Sequence, residues 1–282
     1  VHIAYQDYSS YNLKYARKDA GGDWNDTNIT LSSSWDGYYT SIGIDHTGRI
    51  HICHSTGHEL LYSTYKGSLS LQHSLWAHST VDQISNAGYY SSLVVDQNKD
   101  VHISYVNAAT GQLKYATKNG STWSVTTVLD SSGNSFNAGY TSLQLESNGF
   151  VHVAFHETSG SKDIIHLVYD GSSWINSTVE TGSYVEYCTM ILDSNLGLHI
   201  AYYTGTENAL KYASAPGNPP TTPTNTSQDQ LNVQFDNYGN VTGTIVNDTT
   251  IIVTAPAIPI EYLGDYDDDF EDQTIASEWT LE

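Results

Sequence analysis

The sequence predicts an all-β chain of about five repeats, each roughly 50 residues long and carrying four short strands. Three observations carry this. An apolar residue followed by His recurs at Val1-His2, Ile50-His51, Val101-His102, Val151-His152 and Leu198-His199, with His spacings of 49, 51, 50 and 47 residues. The grammar around each pair returns with it: HIAY, HICH, HISY, HVAF and HIAY, then NLKYA, ELLYS, QLKYA, HLVYD and ALKYA. Composition agrees, since Tyr 22, Trp 6 and Gly 22 against a single Met favour strands and turns over helices.

The elements follow in order along each repeat. A leading strand alternates and ends in an acid and a tight turn, as in YTSIGIDHTG, YSSLVVDQNK, YTSLQLESNG and CTMILDSNLG; the acids are Asp45, Asp96, Glu146 and Asp193. The His strand comes next, then the LKYA-type strand, then a strand opened by Trp24, Trp76, Trp123 or Trp174. One such sheet cannot bury both of its faces. Packing consecutive sheets around an axis buries them and leaves only short edges, which is a β-propeller. On this reading residues 1–215 are propeller repeats, 216–229 a Pro/Thr-rich extended linker, 230–257 a small β segment or degenerate repeat, and 258–282 an acidic tail. The first unit lacks its leading strand and the fifth its Trp strand. Residues 231–241 repeat the leading-strand grammar. They would either complete the first unit and close the ring or form a separate β unit, and the length of the linker favours the second.

The stretch from Ser41 to His51, Ser-x-x-x-Asp-x-x-Gly-x-x-His, resembles the repeats of bacterial and archaeal surface propellers, and loosely the Asp-box of sialidase-like propellers. Where an Asp-box closes on Trp, this chain has His. Phe270-Glu271-Asp272 followed by Trp279 resembles the opening strand of the jelly-roll modules that follow repeats in large secreted bacterial proteins. These resemblances imply an extracellular or cell-surface setting, and a chain cut from a longer array.

Charge excludes whole classes of partner. Lys+Arg 10 against Asp+Glu 31 gives a net charge of −21, which repels nucleic-acid phosphates. No run reaches the ~18–20 apolar residues of a membrane span. Residues 261–282 hold nine acids and no base. Seven Asn-x-Ser/Thr sequons, at Asn25, Asn28, Asn119, Asn176, Asn225, Asn240 and Asn247, suit a glycosylated exterior. Cys53 and Cys188 sit in apolar strands and read as buried free thiols, not a disulfide framework.

The candidate chemistry is sparse. One His per repeat (His2, His51, His102, His152, His199) beside one acid reads as a structural hydrogen bond that fixes the hairpin, because equivalent residues of successive sheets cannot reach one ion together. The extra histidines His54, His58, His73 and His78 lack zinc-site spacing. The four repeat tryptophans are candidate sugar platforms, and equally candidate packing between sheets. Asp265, Asp267, Asp269 and Glu271 open like a calcium loop. Phe270 stands at its sixth position and Ala276 at its twelfth, which rejects an EF-hand and leaves loose Ca²⁺ binding, the one cofactor considered. A sialidase needs clustered arginines, and the chain has only Arg17 and Arg49. No nucleophile elbow, phosphate loop or zinc-protease motif occurs. The expectation is therefore a non-enzymatic structural or adhesive surface propeller that joins copies of itself head to tail. A carbohydrate-binding propeller lectin is the alternative, and a glycoside hydrolase the second.

Overall fold

The computed structural model describes residues 1–18, 21–29, 36–65, 75–129, 138–182, 184–216, 231–235 and 241–245. Among these described residues, twenty strands form five antiparallel sheets. The first holds β1 (His2–Asp7), β2 (Asn12–Lys18) and β3 (Trp24–Asn28). The second holds β4 (Tyr38–Ile44), β5 (Ile50–Ser55), β6 (Leu60–Tyr65) and β7 (Trp76–Asp82). The third holds β8 (Tyr89–Val95), β9 (Val101–Asn107), β10 (Gln112–Asn119) and β11 (Thr122–Leu129). The fourth holds β12 (Ala138–Leu145), β13 (Val151–Glu157), β14 (Ile164–Tyr169) and β15 (Trp174–Glu180). The fifth holds β16 (Val185–Leu192), β17 (Leu198–Thr204), β18 (Ala209–Ala215), β19 (Leu231–Phe235) and β20 (Val241–Ile245). Neighbours in each sheet are consecutive in sequence and antiparallel, so each sheet is a meander.

The acid of each leading strand closes its hairpin. Asp45 Oδ1 accepts the amides of Thr47 at 2.8 Å and Arg49 at 3.0 Å; Asp193 Oδ1 accepts those of Asn195 and Gly197, both at 2.7 Å. Gly48 and Gly149 supply the left-handed residue these turns need, with φ of 80° and 95°.

Each pair of successive sheets shares one apolar cluster. Leu13, Tyr15 and Ile29 meet Ile50, Ile52 and Trp76 between the first and second sheets, and equivalent sets fill the next three joints. The tryptophans lock these joints edge-on. Trp76 meets Tyr15 of the preceding sheet at 5.5 Å, Trp123 meets Tyr62 at 5.3 Å and Trp174 meets Tyr115 at 5.4 Å.

Beneath that common pattern the joints alternate in chemistry. Between the second and third sheets, Lys114 Nζ and Tyr105 OH converge on buried Asp82, at 2.7 and 2.6 Å. Between the fourth and fifth, Lys211 (2.7 Å) and Tyr202 converge on buried Glu180. In the other two joints the acid's place in the ladder is taken by Ile29 and Leu129, and the lysine's by Leu61 and Ile165. Ionic and apolar joints thus take turns.

Two expectations are corrected. In the fourth repeat the LKYA-type strand is not aligned on His166-Leu167-Val168-Tyr169. His152 contacts His166, which therefore holds the place of Tyr115, and Tyr169 lies beyond it. Residues 231–235 neither complete the first sheet nor stand apart: β19 pairs with β18 through Tyr212 and Val233 and carries β20 outward. The open edge of β18 would otherwise leave backbone groups unpaired.

Candidate functional site

Each of the four leading strands, β4, β8, β12 and β16, bends at one place. The ladder slips between Tyr38 and Ser41, Tyr89 and Ser92, Ala138 and Thr141, and Glu186 and Cys188. At three of these bulges a tyrosine sits at positive φ: Tyr39 at 50°, Tyr90 at 55° and Tyr187 at 52°. A bulky L-residue pays strain there and stays only where its surroundings hold it. For Tyr39 and Tyr90 the next sheet holds it. Tyr39 O accepts Ser91 Oγ at 2.6 Å, and Tyr90 O accepts Thr141 Oγ1 at 2.8 Å. In return Ser41, Ser92 and Ser142 Oγ accept the amides of Leu93, Leu143 and Met190, at 3.0, 3.1 and 2.9 Å.

This stitching aims the tyrosines at one another. Ring centroids stand 4.8 Å apart for Tyr39–Tyr90, 4.4 Å for Tyr90–Tyr140 and 4.8 Å for Tyr140–Tyr187. In the fourth sheet Gly139 makes the room: a Cβ there would lie 2.3 Å from the His156 ring, on which Tyr140 stacks. Burial raises the Tyr39 and Tyr140 hydroxyls above their ordinary pKa, so both stay neutral donors at physiological pH. Individually these tyrosines read as ordinary strand residues. Their recurrence before Thr or Ser in YYTS, YYSS and GYTS was the signal available in the sequence.

Where this arc meets the second and third sheets, a cleft of about 720 Å³ opens. Tyr38, Tyr39 and Tyr89 give it aromatic walls, and the β5–β6 hairpin (Thr56, Gly57, His58, Glu59) with Asn86 gives it polar groups. Tyr39 and Tyr89 pack at 4.8 Å. Two backbone bonds fix the rim: Ala87 N donates to His58 O at 3.3 Å, and Ala108 N to Asn86 O at 2.9 Å. Asn86, at φ 64°, is a second strained residue in the lining. The cleft offers ring faces beside an amide, a carboxylate and an imidazole, and its lining contains no Lys or Arg.

Of the residues singled out from the sequence, His58 lines the cleft, and the others fall elsewhere or outside the described residues. The repeat histidines bond first to the next strand: Nδ1 meets Tyr15 OH from His2 at 2.5 Å, Tyr62 OH from His51 at 2.6 Å and Tyr115 OH from His102 at 2.5 Å, and His199 meets Tyr212 likewise. Their distances to the turn acids are 2.7 Å for His152–Glu146, 3.1 Å for His199–Asp193, 3.5 Å for His51–Asp45 and 3.9 Å for His102–Asp96. Trp76, Trp123 and Trp174 are engaged between sheets, whereas Trp24 is 49% exposed. Asn25, Asn119 and Asn176 are exposed. Asn225, Asn240 and Asn247, His73 and the calcium candidates Asp265, Asp267, Asp269 and Glu271 lie outside the described residues. Among the described residues no group of His, Cys, Asp or Glu is arranged to hold a metal ion, and no helix is long and apolar enough to cross a membrane.

No family model and no curated protein matches the chain. Solved structures match its fold. A triple mutant of AofleA from Arthrobotrys oligospora is 15% identical over 76% of this chain, with a TM-score of 0.50, and the chain spans 64% of that protein's length. A polysaccharide lyase of a new family, the PL25 ulvan lyase bound to -[GlcA(1-4)Rha3S]-, is 12% identical over 86% of this chain and 76% of its own, with a TM-score of 0.55. A protein of unknown function from Dyadobacter fermentans is 9% identical over 78% and 74%, with a TM-score of 0.54. At such identities the likeness is one of fold alone. It overturns one expectation all the same. The chain was expected to be non-enzymatic, yet a polysaccharide lyase is built on this architecture, so neither the fold nor the lack of a familiar motif excludes catalysis.

Proposed function

We propose that this chain binds carbohydrate in the cleft between its second and third sheets. The observation that carries the reading is the convergence of Tyr38, Tyr39 and Tyr89 with Asn86, His58 and Glu59 around one concave space of about 720 Å³. Sugar rings present C–H faces that stack on aromatics and hydroxyls that need amide, carboxylate and phenol partners, and concave sites of this size and mixed lining hold small ligands. The strained, cross-stitched Tyr39 supports the same reading, because strain persists where a fixed geometry is of use. An extracellular or cell-surface setting belongs to this proposal and draws support from the exposed sequons at Asn25, Asn119 and Asn176.

The test is a glycan array followed by calorimetry on the intact chain. Binding is expected to fall at least tenfold in Tyr89→Ala and in Glu59→Ala, with unfolding midpoints close to the parent. Incubating the bound glycan and measuring new reducing ends or unsaturated products separates binding from turnover. A chain that binds no glycan, or whose Tyr89→Ala variant binds as well as the parent, overturns the reading.

A further inference from the structure

The frame that builds the cleft is used twice. In the cleft, Ala87 N donates to His58 O and Ala108 N to Asn86 O. Between the fourth and fifth sheets, Val185 N donates to Lys162 O at 3.4 Å and Gly205 N to Tyr184 O at 2.9 Å. Lys162 therefore holds the place of His58. Each stands just before the acid whose carbonyl closes its hairpin: Thr56 N donates to Glu59 O at 3.2 Å, and Glu157 N to Asp163 O at 2.9 Å. Tyr184 holds the place of Asn86, and both have positive φ, 52° and 64°. Gly205 lets the larger residue in, since a Cβ there would lie 3.2 Å from Tyr184 O and 3.7 Å from its Cβ.

This second frame displays a cation on an aromatic ring. Lys162 Nζ stands 3.1 Å from the centre of the Tyr184 ring, and among the described residues it has no carboxylate partner. The acids near it in sequence are occupied: buried Asp163 accepts the Gly182 amide at 2.8 Å, and Glu157 accepts Ser161 Oγ at 2.7 Å. Tyr184 and Tyr187 are each 57% exposed. Lys162, Tyr184 and Tyr187 all hold the left-handed conformation, with φ of 56°, 52° and 52°. Three strained side-chain-bearing residues at one joint repeat what Tyr39 and Asn86 do at the cleft.

The tyrosine arc joins the two frames, ring to ring, from Tyr39 through Tyr90 and Tyr140 to Tyr187. The way between them is open. At the joint of the third and fourth sheets the place of His58 and Lys162 falls to Gly111, whose carbonyl accepts Ala138 N at 3.1 Å and which has no side chain to stand across the path. Tyr140, between the two frames, is 37% exposed. We propose, resting on the carbohydrate reading of the cleft, that its ligand is an extended polysaccharide chain that runs over Tyr90 and Tyr140 to a second subsite at Lys162, Tyr184 and Tyr187. The molecule then grips the interior of a chain, not a single terminal sugar. The Tyr187 ring offers a stacking face, and the Lys162 ammonium donates to sugar oxygens. Two subsites on one ligand give an avidity that a short sugar cannot use.

Calorimetric titration of the intact chain with cellulose, chitin, pectin and galactan oligosaccharides, from two to eight sugar units, is the test. In a series that binds, affinity is expected to rise at least tenfold with length. Tyr187→Ala and Lys162→Ala should each erase most of that gain and leave disaccharide binding unchanged, whereas Tyr89→Ala weakens every length. Unfolding midpoints near the parent's show that the variants fold. Affinity that does not grow with length overturns the proposal, as does a gain that survives either substitution. So does a chain that binds none of the four series, although glycan-array binding that Tyr89→Ala abolishes would still uphold the cleft by itself.

Discussion

Two buried imidazoles give the molecule an acid sensitivity that begins above the range in which its carboxylates titrate. Burial lowers His156 to about 4, and burial with the neighbouring His152 ring lowers His166 to about 3. Both are neutral in the fold near pH 5, while an unfolded histidine titrates near ~6.5. Between those values the unfolded chain binds more protons, so stability falls as the pH drops through 6.5 toward 4. We expect each to cost about 2 kcal/mol between pH 6.5 and 5. Urea unfolding at pH 7 and pH 5 should show the loss, and His156→Met should remove its share; equal midpoints at the two pH values would refute the account. The recurrence of the repeat histidines was legible in the sequence, but not their bond to the tyrosine of the next strand. A partner some 13 residues away is visible only once the register of His102 on Thr117 is known.

At the scale of sheets and joints, the tryptophans test packing against display. Trp76 is 6% exposed and edge-on to Tyr15, so Trp76→Ala should cost about 3–5 kcal/mol, whereas Trp24→Ala, at 49% exposure, should cost well under half of that. Thermal unfolding of the pair decides it; similar losses for both would show that the sheets are not locked this way. The ionic joint gives a second prediction. Asp82→Ala leaves the Lys114 ammonium buried beside Tyr105 with its acid gone, and should cost about 3–5 kcal/mol. Pairing it with Lys114→Met should restore much of that stability, and a double variant as unstable as the sum of its parts would speak against a shared charge pair. The strands themselves were readable because apolar residues recur at a fixed period. The joints were not, because Asp82 and Lys114 stand 32 residues apart and obey a pattern that returns only every second repeat.

For the molecule as a whole, the sequence announces an all-β array of stacked sheets, and the solved folds it resembles agree. The cleft escaped the sequence because it belongs to no single repeat: β4 and β8 give its tyrosines, the β5–β6 hairpin its acid and imidazole, and the loop before β8 its amide. The rule of alternating joints bears on how such a chain can change length. Removing one sheet, say the third, would set the fourth against the second, and Asp82 would face Ile165 where Lys114 had stood. Removing the third and fourth together would bring Asp82 back against a lysine, Lys211. Gene duplications and losses that leave a foldable product should therefore come in steps of about 100 residues, two sheets at a time, and a designer trimming or lengthening this scaffold inherits the same arithmetic.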